Sequence, residues 1–140
     1  MATPVITLAF AALAAVWIYY LQMRVILLRR RHRIGFGHGE NRELRGWARA
    51  HANALENLLP FTGLALCAEL VFGGGWVLIG FMVAMMASRL AHPWGLLYPA
   101  THFIWRPHGM IGTLIVQAMF IAWIALRLSL HLSLHLGPQL

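Results

Sequence analysis

The sequence has 140 residues, of which 60% are hydrophobic and 11% are charged, and its mean hydropathy is +0.68. A water-soluble domain of this size could not bury so much apolar surface, so the composition excludes a soluble protein and indicates an integral membrane protein. The net charge of +7 comes from arginines and glutamates alone, and a basic chain this hydrophobic fits the charge asymmetry of membrane proteins better than nucleic-acid binding.

Four apolar segments each reach the roughly 20 residues that a membrane-spanning helix needs. We predict helices over approximately residues 4–33, 44–72, 76–98 and 107–136. The first segment precedes its arginines instead of following them and has no small-residue cleavage site, so we expect it to be retained as an anchor. Four helices with short loops use nearly the whole chain. Residues 1–140 are therefore predicted to form one domain, an all-α four-helix membrane bundle.

Glycine and proline mark the interruptions between and within these helices. The loop over residues 34–41 reads IGFGHGEN, a composition that is typical of non-helical backbone. Pro60 predicts a kink inside the second helix, and Pro93 and Pro107 are expected to interrupt the adjoining ends of the third and fourth.

The tail over residues 126–136 alternates leucine with Arg, Ser or His, which is the period of a strand. An isolated strand facing lipid would leave backbone groups unpaired, so we expect a continuation of the fourth helix, with a strand as the alternative. In a helix His131 and His135 would lie one turn apart. No third metal ligand is evident, so we expect an interfacial polar stripe and no metal site.

The single cysteine and the arginines give two further expectations. Cys67 lies in an apolar run, so we expect a buried structural thiol. Ten of the eleven arginines flank the first and third loops, whereas Arg127 lies on the opposite side. Because cytoplasmic loops are enriched in arginine, we predict that both termini face outward. The ten arginines are Arg24, Arg29, Arg30, Arg31, Arg33, Arg42, Arg45, Arg49, Arg89 and Arg106.

The second helix carries an unusual concentration of polar residues, which are costly in a membrane. At about 100° per residue, Arg49, Asn53 and Glu56 share one helical face. A cation, an amide and a carboxylate on one face could hold a zwitterionic, peptide-like ligand. They could equally satisfy polar groups of neighbouring helices, and the pattern alone leaves both interpretations open.

The third helix and the loop after it add cations at the same membrane level. Arg89 and His92 lie one turn apart, and His102, Arg106 and His108 follow. This set suits an anionic ligand at the membrane interface. It has no paired carboxylates and no Ser/His/Asp triad, so it does not suit a hydrolase.

The polar segment of the second helix resembles the MAPEG family, the membrane-associated proteins in eicosanoid and glutathione metabolism. Residues 49–60 read RAHANALENLLP, and they are followed by Arg89, His92, Arg106 and Gly109. The order of four hydrophobic segments extends this similarity from about Leu8 to Leu126, and the short chain looks most like the small bacterial branch.

The resemblance implies a homotrimer in the bacterial inner membrane, with glutathione bound as co-substrate between subunits on the cytoplasmic side. A lipophilic small molecule, the electrophile, would enter from the membrane. Arg106 resembles the arginine that stabilises the glutathione thiolate, and a cation beside a thiol does lower the thiol pKa. The residues that the resemblance assigns to glutathione binding are Arg49, Asn53, Glu56, Arg89 and His92.

Two functions stay open at this point. The first is a glutathione-dependent transferase or peroxidase that acts on lipophilic electrophiles. The second is a non-catalytic MAPEG-type protein that binds a lipid or a partner. The enzymatic members carry a tyrosine one turn after the histidine of helix three, where this chain has Leu96, with Tyr98 two positions on. A channel or transporter is disfavoured because only Gln117 is plainly polar in the middle of the fourth helix.

Overall fold

A computed structural model of the chain describes residues 3–97 and 102–136, with the side chains of residues 3–93 and 108–134. The described residues form α1 (Val5–His32), α2 (Arg42–Phe72), α3 (Trp76–Leu97) and α4 (His102–Leu136). Each of the four is long and apolar enough to cross a membrane,. The predicted all-α fold with four helices of membrane-spanning length is therefore confirmed.

The helix boundaries differ from the predicted ones at the prolines. α3 continues through Pro93 to Leu97, and α4 begins at His102, before Pro107. The expectation that these prolines interrupt the helices is wrong, because a helix can bend around a proline and lose only local hydrogen bonds. α2 also continues through Pro60. The alternating tail belongs to α4 as far as Leu136, so the helical prediction for it is confirmed.

α1 ends in a backbone turn that uses an arginine where glycine is usual. Arg33 has a left-handed conformation with φ 54°. The Arg33 N–H donates to the Arg30 carbonyl at 3.3 Å, and the Ile34 N–H donates to the Arg29 carbonyl at 3.0 Å. These two bonds form a Schellman motif, and Ile34 packs back against the core, a contact that often accompanies this motif,.

The start of α2 is capped and joined to α1. The side chain of Asn41 accepts a hydrogen bond from the Leu44 N–H at 2.9 Å, as a helix N-cap does. Arg24 lies 3.8 Å from the Glu43 carboxylate, and its guanidinium lies 4.6 Å from the ring centre of Trp47. An ion pair and a cation–π contact therefore hold the last third of α1 against the first turns of α2.

A buried carboxylate joins α1 to α2 at the other end of the bundle. Glu69, in the last turn of α2, is only 2% exposed. Its carboxylate accepts hydrogen bonds from the N–H groups of Ile6 at 3.1 Å and Thr7 at 2.7 Å. Negative charge is favourable at a helix N-terminus, so Glu69 caps α1 from a neighbouring helix. This role was not predicted from the sequence, in which the only signal is a carboxylate inside the apolar run LALCAELVF.

Aromatic rings connect the four helices in the core. The ring of Phe61 in α2 lies 5.5 Å from that of Phe10 in α1 and 4.8 Å from that of Phe120 in α4. Phe120 lies in turn 5.1 Å from Phe81 in α3. Tilted and edge-to-face ring pairs at these distances are favourable, so one aromatic cluster draws a residue from every helix.

α3 and α4 pack closely because two glycines of α4 face α3. A Cβ at Gly109 would lie 2.9 Å from the Cα of His92, and one at Gly112 would lie 3.0 Å from Ser88 Oγ. Small residues at such contacts let the backbones of membrane helices approach one another. Gly109 therefore fixes α4 against α3 beside the predicted ligand residue His92.

Cys67 is exposed, which corrects the expectation of a buried thiol. An apolar run was taken as a sign of burial, but membrane helices direct apolar side chains to lipid as well as to the core. Leu59 and Leu70, which flank Cys67 in α2, are 69% and 50% exposed in the same way.

Candidate functional site

The second and third helices bring two of the predicted ligand residues into direct contact. Asn53 Nδ2 in α2 lies 2.9 Å from His92 Nε2 in α3. His92 is buried, with 4% of its surface exposed. This contact makes the orientation of the Asn53 side chain depend on the position of α3.

A second amide contact extends the polar cluster to α4. Asn57 Nδ2 donates to the Asn53 carbonyl at 2.7 Å, one turn back along α2. Gln117 Nε2 donates to Asn57 Oδ1 at 3.3 Å. Gln117 was noted in the sequence as a polar residue of the fourth helix, but its contact with Asn57 was not predicted, because hydropathy does not indicate which helix faces which.

Arg89 is buried between α3 and α4, with 3% of its surface exposed. Its guanidinium donates to the Gly109 carbonyl at 2.8 Å and also to Thr113 Oγ1. The Thr113 hydroxyl donates to the same carbonyl at 2.8 Å. Arg89 therefore joins the two helices at the glycine that permits their close approach.

Arg49 and Glu56 lie on the exposed side of α2, about two turns apart. Among the side chains that the structure describes, neither Arg49 nor Glu56 meets a hydrogen-bond partner or an opposite charge. The structure thus divides the predicted α2 face. Asn53 turns toward α3, whereas the Arg49 cation and the Glu56 carboxylate on either side of it are exposed.

A cavity of about 280 Å³ opens between α2 and α4 beside Glu56. One part of its wall is polar and consists of Glu56, Asn57 and Gln117. The apolar part consists of Pro60, Phe61, Leu64, Phe120 and Ile121. The cavity therefore offers polar groups next to an apolar surface, as a binding site for an amphipathic or lipophilic molecule does.

Arg106 lies in α4, but its side chain falls outside the residues whose side chains are described, as do those of Leu96 and His102. Tyr98 lies outside the described residues altogether. The role of Arg106 toward a thiolate stays a prediction.

The histidines of the tail were considered above as a possible metal pair. The His131 ring lies 6.0 Å from that of Phe72, and the side chain of His135 is outside the described part of the chain. Within that part, no three His, Cys or Glu side chains meet in a group that could hold a metal ion.

Comparison with known proteins identifies the same family that the polar segment of the second helix resembles. Residues 7–126 match the MAPEG family profile. The chain is 30% identical over 104 residues to the inner membrane protein YecN of Escherichia coli strain K12, and the match covers 74% of this chain and 78% of YecN. YecN of Escherichia coli O6:H1 strain CFT073 matches to the same extent. No solved structure has a significant match. With four helices of membrane-spanning length and a family match over most of its sequence, this chain is an integral membrane protein that belongs to the MAPEG family.

Proposed function

We propose that this protein is a glutathione-dependent transferase or peroxidase that acts on lipophilic electrophiles. The observation that carries the proposal is the pair Arg49 and Glu56, exposed on α2 on either side of an asparagine that is held by His92. Glutathione has two carboxylates and an ammonium group. A cation, an amide and a carboxylate along one helix are complementary to those groups.

The exposed charges also support a homotrimer. A charged side chain that faces lipid is unfavourable by at least about 2.5 kcal/mol at the centre of a membrane helix, and less near the interface. A neighbouring subunit packed against the outer face of α2 would remove Arg49 and Glu56 from lipid. In this arrangement glutathione would bind between subunits, with Arg49, Asn53 and Glu56 contributed by one of them.

The contributions that we propose for Arg89 and His92 are indirect. His92 contacts Asn53, so it would orient the amide that binds glutathione. Arg89 donates a hydrogen bond to the Gly109 carbonyl, so it would hold the first half of α4 in place. The segment of α4 that Arg89 holds also carries Arg106, which the family resemblance assigns to the thiol.

In the reaction that we propose, the Arg106 guanidinium stabilises the glutathione thiolate, which is the nucleophilic form of the thiol. The thiol proton is released to solvent, the sulfur forms a bond to an electrophilic carbon of the second substrate, and the leaving group departs with the bonding electrons. The cavity between α2 and α4 has the polar and apolar walls that would suit a lipophilic electrophile entering from the bilayer,. Each tenfold gain in rate requires about 1.4 kcal/mol of transition-state stabilisation.

We further propose that the site faces the cytoplasm from the bacterial inner membrane, with both termini outside. The ten-to-one distribution of arginines supports this orientation,. The name of the relative YecN, an inner membrane protein, supports the location.

The second candidate function is a non-catalytic MAPEG-type protein that binds a lipid or a partner. Leu96 supports this alternative, because it stands where the enzymatic members carry a tyrosine. The apolar wall of the cavity between α2 and α4 would accept an acyl chain without any chemistry.

A glutathione titration of the detergent-purified protein tests both candidates. We expect calorimetry to detect binding and ultraviolet absorbance to detect thiolate formation. Because a hydrogen bond to a charged group contributes about 1.5–3 kcal/mol, Arg49→Ala or Glu56→Ala should weaken binding roughly 10- to 100-fold. Arg106→Ala should abolish the thiolate signal and retain most of the binding. Arg31→Ala, which removes an exposed arginine from α1, is the control and should change neither.

Two results would contradict the proposal in different ways. Glutathione binding without thiolate in the wild type would favour the non-catalytic alternative. A complete lack of binding would eliminate glutathione as the co-substrate.

A further inference from the structure

Positive charge is concentrated at the C-terminal end of α1. Residues 29–33 contain four arginines and a histidine. Three of these arginines line a shared hollow of about 350 Å³. The residues that line this hollow, which we call the α1 hollow, are Ile26, Arg29, Arg30, Arg33, Ile34 and Gly35.

The backbone turn after α1 forms the α1 hollow. Arg33 in its left-handed conformation turns the chain back, and Ile34 packs against the core. Arg29 then donates from its guanidinium to the Gly35 carbonyl at 3.2 Å, which joins the helix to the returning chain. The left-handed turn at Arg33 brings this residue to the same hollow as Arg29 and Arg30. A glycine at position 33 would adopt the same turn with less strain.

The charges that line the α1 hollow have no opposite charge beside them in the described part of the chain. Among the side chains that the structure describes, none of Arg29, Arg30 and Arg33 makes an ion pair, and the nearby Glu43 pairs with Arg24 instead. Membrane topology and the helix dipole both favour cations at this end of α1. Neither requires three of them to line one hollow together with two isoleucines.

We propose that the α1 hollow binds the phosphate group of an anionic phospholipid, with the first carbons of its acyl chains against Ile26. Guanidinium groups match phosphate oxygens with paired hydrogen bonds, and three of them surround the α1 hollow. Ile26 lies about one turn deeper into the membrane than Arg30, where the glycerol and acyl region of a lipid begins. Clusters of arginine next to a membrane-spanning helix attract anionic lipids by about 1 kcal/mol per residue.

The test is native mass spectrometry of the full-length protein in mild detergent, titrated with phosphatidylglycerol or phosphatidylcholine. We expect phosphatidylglycerol to bind the wild type with clear preference. Arg30→Gln and Arg33→Gly should each weaken that binding about tenfold, the effect of one charge-assisted hydrogen bond. Arg31→Gln is the matched control, since it removes the same charge from the same turn but Arg31 does not line the α1 hollow.

Thermal unfolding separates a lost site from a lost fold. Arg33→Gly should unfold at the wild-type temperature or above it, because glycine is favoured in this turn. Equal losses in Arg31→Gln and Arg30→Gln would overturn the proposal in favour of diffuse charge attraction. Equal binding of phosphatidylcholine, or displacement of the lipid by an equal concentration of inorganic phosphate, would also overturn it.

Discussion

Two arginines of the predicted ligand set have opposite surroundings. Arg49 is exposed on α2 without a described partner, whereas Arg89 is enclosed between α3 and α4 and bonded to Gly109 and Thr113. Arg89 donates from Nη2 within its own subunit and so joins α3 to α4, although its buried Nε has no hydrogen-bond partner among the described residues. An exposed cation with unused donors is available for a ligand or for another subunit. Substitution of an arginine is therefore expected to have different effects at the two positions.

Substitution of these arginines should affect stability and binding separately. We expect Arg89→Ala to lower the free energy of unfolding by about 2–4 kcal/mol, because it removes a charged donor from two buried acceptors. Arg49→Ala should change it by no more than about 0.5 kcal/mol. Thermal unfolding in detergent measures both. If Arg49→Ala destabilised the protein as much as Arg89→Ala, the distinction between the two residues would be wrong.

At the scale of the helices, the two ends of the α1–α2 pair are joined by different interactions. At one end the partly exposed Arg24 contacts the exposed Glu43 and the buried ring of Trp47. At the other end the buried Glu69 carboxylate accepts two backbone N–H groups of α1. Exposed ion pairs contribute little to stability, whereas the removal of a buried acceptor leaves donors unsatisfied.

Glu69 should accordingly matter more than other glutamates. Glu69→Ala is expected to cost about 1–3 kcal/mol, because the N–H groups of Ile6 and Thr7 lose their acceptor. Glu69→Gln keeps one acceptor oxygen and should have an intermediate effect. Glu40→Ala, in the exposed loop, is the control and should leave the unfolding temperature unchanged. An unaltered unfolding temperature in Glu69→Ala would show that the cap contributes nothing.

The α3–α4 pair depends on the absence of a side chain at Gly109. In Gly109→Ala the new Cβ would lie 2.9 Å from the His92 Cα, so one helix must move. We expect lower stability and, because His92 contacts Asn53, weaker glutathione binding. Gly80→Ala in α3 has open space around its Cβ and should be neutral or more stable by about 0.5–1 kcal/mol. Parallel unfolding and glutathione titrations of the two variants would contradict this account if they gave the same result.

At the scale of the whole molecule, the outer face of α2 is the surface that the proposed trimer would bury. Cys67 follows Arg49 by 18 residues, or about five helical turns, so the two side chains lie on the same face. Both are exposed in the single subunit. Equivalent residues of three subunits come close only near a threefold axis, so the single cysteine reports whether this face lies at the axis of the proposed trimer.

Oxidative cross-linking of the membrane-embedded protein should join subunits through Cys67. We expect a disulfide-linked dimer within each trimer, because one thiol of three has no second partner. The control is Cys67→Ala combined with Leu13→Cys, which moves the thiol to an exposed position on α1 and should give much less cross-linking. Equal cross-linking of the two proteins would indicate random collision and would count against an α2 interface.

The sequence by itself determined the four helices and the helical face shared by Arg49 and Glu56. The bilayer requires long apolar segments whose backbone is internally bonded, and the helical period is the same in every environment. The family was also evident from the residues of α2. Only the tertiary structure decided that Arg89 turns to α4, that Asn57 meets Gln117, that Glu69 caps α1 and that Cys67 is exposed. In a membrane protein apolar side chains cover both the core and the lipid-facing surface, so hydropathy cannot distinguish them. Which polar groups meet depends on the distance between helices, and here two glycines of α4 set the distance between α3 and α4.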